Sequence, residues 1–143
     1  MDRRLELILA EDERWAALCG LIEGVPAERL LEAGVTPEWS VKDLLAHIGS
    51  WMAEAACVLE RIRLGTYQSR SLHVDEMNRQ FYDAWKDQAL PIVWAELESA
   101  RTRMYQEWGA LQQITPEAEE WFVESGPDHF DEHLPALRAF LSG

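Results

Sequence analysis

Wherever this chain is periodic, its period is helical. Between Asp2 and Glu23, Leu5, Ile8, Trp15, Leu18, Cys19 and Ile22 recur at helical spacing and form an apolar stripe, interrupted by Asp12 and ended by Gly24 and Pro26. No stretch alternates apolar and polar residues for long enough to read as a strand. A second stripe, with Leu44, Ile48, Met52, Ala55, Leu59 and Ile62, predicts a helix from Val41 to about Leu64. Ser40 and Asp43 stand three apart before it, a capping box with the shorter acid, and Gly65 is its stop.

The rest of the chain follows the same rule. Residues 26–31 read as a turn of helix before Gly34, and residues 66–72 are polar and form the longest loop. Asp75 to Trp85 is helical; Pro91 then opens a helix that carries Ile92, Leu97, Met104 and Trp108 to Gly109. Thr115-Pro116 is an N-cap with proline at the first helical position, and Gly126-Pro127 breaks that helix and starts the last one. Pro135 lies inside the last helix, where it removes the bond to the Asp131 carbonyl and predicts a bend. Four main helices make an all-α bundle in a single domain, 1–143, with short extra helical turns.

Charge removes whole classes of partner. With 26 acidic against 13 basic residues and a net charge of −13, the chain lacks the basic patch that nucleic acid or an anionic membrane surface requires. No run approaches the roughly 20 apolar residues of a membrane span, so the expectation is a soluble, untargeted, cytoplasmic protein. Cys19 and Cys57 have no CxxC spacing and read as two buried thiols. Most of the seven tryptophans read as core.

The chemistry concentrates in the histidines. His129 and His133 are four apart on a helix, so their imidazoles lie on one face and can address one point; His47, between Leu44 and Ile48, is the candidate third ligand. Three neutral imidazoles leave a divalent ion with at least one open position, as catalytic sites do. His73, in a loop, reads as a surface residue. Asp43, Asp128 or Glu132 could accept the second ring N–H of a ligating histidine, although Asp43 is more simply a cap. Asp75 and Asn78 share a helix face and either point into a pocket mouth as catalytic groups or serve as a cap and a surface amide. Trp51 is a candidate pocket wall, as are Tyr82 and Trp85, and packing explains all three equally well. No Ser/His/Asp set, Gly-rich phosphate loop or HExxH helix is present.

Taken in order, Glu38-Trp39-Ser40-Val41-Lys42-Asp43-Leu44-Leu45-Ala46-His47-Ile48, Asp75-Glu76-Met77-Asn78 and His129-Phe130-Asp131-Glu132-His133-Leu134 resemble the DinB-like superfamily of four-helix bundles. That superfamily includes metal-dependent hydrolases, bacillithiol transferases, the N-terminal domain of mycothiol-dependent maleylpyruvate isomerase and the ClbS/DfsB group, whose DxxN run Asp75–Asn78 resembles. The resemblance implies an up-down-down-up bundle holding one divalent ion, zinc or nickel, through His47, His129 and His133. It implies a thiol transferase or hydrolase acting on a small electrophilic molecule, with a low-molecular-weight thiol as a co-substrate for the first, and homodimers among its members. Two alternatives stand beside it: a pocket that sequesters a small molecule without turnover, and metal-free hydrolysis as in part of the ClbS/DfsB group.

Overall fold

The computed structural model describes residues 2–143, and among them every regular element is a helix. In chain order these are α1 (Arg3–Ile22), α2 (Ala27–Leu30), α3 (Val41–Leu64), α4 (Val74–Trp85), α5 (Leu90–Ala110), α6 (Pro116–Ser125) and α7 (Pro127–Ser142). Their ends follow local chemistry. Ser40 Oγ accepts from the Asp43 N–H at 3.2 Å while Asp43 Oδ2 accepts from the Ser40 N–H at 3.0 Å, a reciprocal box that satisfies two orphan donors at the start of α3. Gly65, at φ 74°, closes α3 in the left-handed region that a side chain would disfavour. Thr115 Oγ1 caps α6 by accepting from the Ala118 N–H at 3.1 Å.

The helix α3 is the centre of the bundle. It packs along α5 and also touches α4, α6 and α7, while α1 lies against α7 and α5. Gly49 permits a close approach to α5: a Cβ there would sit 3.2 Å from the Leu97 Cα. The core is filled by Leu44, Ile48 and Met52 from α3, Leu97 and Met104 from α5, and Phe122, Phe130 and Leu137 from α6 and α7. Each such side chain contributes roughly 1.5–3 kcal/mol of hydrophobic burial. Among the tryptophans only Trp108 is fully buried, stacked on Phe122 at 4.4 Å; Trp15, Trp39, Trp85, Trp94 and Trp121 pack partly buried around it and the core.

Two expectations are corrected. Cys57 is exposed rather than buried, because the core face of α3 runs through Met52, Ala55, Ala56 and Leu59, and residue 57 points off that face. Cys19 is half-buried, and its burial pushes the thiol pKa up. The sequence stripe of α1 also hid a charge: Glu11 is 0% exposed and binds Arg101 of α5, whose Nε lies 2.8 Å from Oε1. No helix among the described residues is long and apolar enough to cross a membrane.

The break that delivers α7 to the site is Gly126. Its N–H bonds the Phe122 carbonyl at 2.9 Å, and a Cβ would meet that same carbonyl oxygen at 2.8 Å, a contact with backbone that no side-chain rotation can relieve. The substitution Gly126→Ala should therefore lower stability by about 1–3 kcal/mol, measured by urea denaturation. A variant as stable as the parent would show that the junction between α6 and α7 yields freely. Beyond it, α7 runs through Pro135 to Ser142.

Candidate functional site

The contact of α3 with α7 brings three imidazoles together. His47 is held by flanking Leu44 and Ile48, each 1% exposed, and His129 by its neighbour Phe130, which is 0% exposed. Their Nε2 atoms lie 3.0 Å apart. His133, one turn after His129, completes the group with ring centroids 5.1 Å from His47 and 4.7 Å from His129. One ring nitrogen from each lies within 4.8 Å of the others. Two nitrogens bound tetrahedrally to one zinc ion at its usual bond length stand roughly 3.3 Å apart, so the His47–His129 pair is already near a ligating separation.

Burial sets their charge. His47 and His129 are only 9% and 6% exposed. Desolvation, aided by the like charge of His133, lowers the pKa of His47 to about 4; desolvation and both neighbours lower that of His129 to about 3. His133 is lowered by burial too, against an opposing pull from Glu132, whose Oε1 lies 4.0 Å from Nε2. All three are neutral at pH 7, the state that ligates a metal. His47 Nδ1, His129 Nδ1 and His133 Nε2 are buried with no hydrogen-bond partner among the described residues. A buried polar atom left so costs about 1–3 kcal/mol. The grouping of one ring nitrogen from each of three neutral imidazoles within 4.8 Å is a donor set that fits a zinc- or nickel-type ion. The carboxylates proposed to back the rings do not reach the Nδ1 atoms: Asp43 is committed to Ser40.

His47 and His129 open into a cavity of about 510 Å³ between α3, α4, α6, α7 and the 66–73 loop. Trp51 and Asn78 both line it and are joined: the Trp51 indole donates to Asn78 Oδ1 at 2.7 Å. That bond orients the Asn78 amide and leaves its two N–H donors and one carbonyl lone pair free. Asp75 is exposed in the first turn of α4, away from the lining. Tyr82 stacks on Trp39 at 6.3 Å, and Trp39 lies 5.0 Å from His47, so both stand behind the histidine rather than in the cavity. Trp85 packs against the core, and His73 is an exposed residue at the start of α4. The sequence reading omitted the wall supplied by α6: Glu117, Glu120, Trp121 and Glu124. The signal was available, since residues 117, 120 and 124 share a helix face. Burial, then Glu120 and Asp128, hold the Glu124 carboxyl above its ordinary range.

Fold and site together define an all-helical bundle with a buried three-histidine group able to hold a metal ion. No protein-family model and no curated protein matches the chain. A crystal structure of an uncharacterised protein from Escherichia coli UTI89 has the same fold, with a TM-score of 0.83 over 97% of this chain and 92% of that one, at 14% identity. At that identity the likeness is one of fold.

Proposed function

We propose that this protein is a DinB-like, up-down-down-up four-helix bundle and a metal-dependent enzyme that acts on a small electrophilic molecule by thiol transfer or hydrolysis. The observation that carries this reading is the convergence of three neutral imidazoles, two of which, the buried His47 and His129, open on the cavity. His47, His129 and His133 would hold one divalent ion, zinc or nickel by donor type. Such an ion lowers the pKa of a bound thiol or water so that a nucleophile is available at neutral pH. The protein's own groups do the rest. Trp51 anchors the Asn78 amide at the cavity, where it would orient the substrate, and the apolar surroundings of Leu44, Ile48 and Phe130 keep the imidazoles unprotonated.

The test is elemental analysis of untagged protein purified without chelator. About one zinc or nickel per chain is expected; protein that is empty and also refuses added metal would overturn the reading.

A further inference from the structure

The cavity wall is charged in one sense. Glu117, Glu120, Glu124, Asp128 and Glu132 line it against a single cation, Arg70, whose guanidinium is exposed and 4.0 Å from Glu54. Acids on the same helices that face elsewhere are matched: Glu119 of α6 is bound by Arg3 at 2.9 Å, and Asp131 of α7 by Arg14 at 2.9 Å. Those facing the cavity have no Lys or Arg partner among the described residues. Into the same cavity open His47 and His129, each more than nine-tenths buried with an unpartnered ring nitrogen, which marks one end of the space as the reacting end.

We infer that the substrate of this site carries a positive charge, as an alkylammonium, guanidinium or quaternary ammonium group, and that Glu120, Glu124 and Asp128 receive that group while its reacting centre faces the histidines. The inference rests on the function proposed above. A second metal ion is the other cation such a wall might take, but among the described residues only the three histidines bring ligand atoms together; the carboxylates do not converge on a point. Aromatic faces favour the organic ion. Trp51, Tyr67 and Trp121 share the lining, and an organic cation gains from ring faces as well as from carboxylates, whereas a hydrated divalent ion gains from oxygens alone. Anionic substrates are repelled by the same wall.

Tryptophan fluorescence titration of the full chain tests this, in low salt and on both metal-loaded and chelator-treated protein, with benzyltrimethylammonium, benzyl alcohol and benzylsulfonate as probes. The cation should bind about tenfold tighter than either other probe, lose affinity with added salt, and bind about tenfold more weakly to the folded Glu120→Gln/Glu124→Gln double variant. Equal or tighter binding of the sulfonate would overturn the inference. So would an unaltered double variant, or a second equivalent of metal that the wild type binds and the double variant loses. The two readings fail separately. Cation preference in protein that takes up no metal would remove the metal-dependent function and leave the charge selection standing; one bound metal per chain without cation preference would do the reverse.

Discussion

Protein carrying His129→Ala should retain less than about a tenth of the metal held by the parent after the same dialysis, and should lose turnover in any reaction the parent performs. His129 is the least exposed of the three imidazoles, and its Nε2 is the atom 3.0 Å from His47. Without it, His47 and His133 remain as two ligands on different helices, with ring centroids 5.1 Å apart, and the grouping of ligand atoms loses one of its three members. Loss of a partner that merely orients a ligand costs about 10- to 100-fold in metal affinity, so loss of the ligand itself should exceed that. The pH dependence follows from burial. Because His47 and His129 have pKa values lowered to about 4 and about 3, lowering the pH through about 6.5, where a free imidazole gains its proton, should leave them neutral. Metal retention, followed by elemental analysis after equilibration at each pH, should therefore hold through that point and fall below it, since burial lowers the third ligand, His133, as well. Retention that fails around the ordinary imidazole value would show rings open to solvent, and a metal-replete His129→Ala protein would place the ion elsewhere.

What the sequence disclosed of this site depended on how local the signal was. The spacing of His129 and His133 is fixed by one helix, and His47 lies on the buried stripe of α3, so the convergence of all three needed only that α3 and α7 touch, which they do. The cap at Ser40 and Asp43 and the stop at Gly65 are likewise local, and they fall at the helix ends expected of them. Pocket walls are not local. Tyr82 and Trp85 lie on α4 together with Asn78, yet they contact Trp39 and the core, so of these three only Asn78 lines the cavity. The acidic face of α6 has an equally regular spacing, but nothing in its own sequence says whether it meets solvent or a cavity; the α3–α6 contact decides that. Glu11 was the least legible residue, because the sequence marks only its neighbour Asp12 as interrupting the α1 stripe, and the burial of Glu11 makes sense only with its partner, ninety residues away, in view.

That partner makes the second large prediction. Arg101→Met should destabilise the protein by about 3–5 kcal/mol, a drop in melting temperature on the order of 10 °C for a chain of this size. Glu11 is 0% exposed, and Arg101 Nε lies 2.8 and 3.0 Å from its two oxygens, so the carboxylate has no water to replace its partner, whose own side chain is 19% exposed. The guanidinium also reaches Asp12 at 2.6 Å and stands 4.7 Å over the Trp15 ring. The Tyr105 hydroxyl faces the Glu11 carboxylate and, at 2.8 Å, that of Asp12, with one proton to donate between them. Burial first, and Glu11 second, push the Tyr105 pKa far upward, so the phenol persists as a donor and cannot take over the role of the lost cation. Removing Arg101 leaves Glu11 with a neutral hydroxyl in place of a guanidinium. Asp12, with a side chain 48% exposed, can turn to solvent, but Glu11 cannot. The cost is thus one of stranding a charge rather than of losing the net worth of a pair, and the two are separable. In Glu11→Leu/Arg101→Met no charge is stranded, and apolar side chains of similar reach fill the space between α1 and α5, so the double variant should recover at least half of the loss in urea denaturation. If it is as unstable as Arg101→Met alone, the network contributes by its hydrogen bonds, and the stranding argument fails.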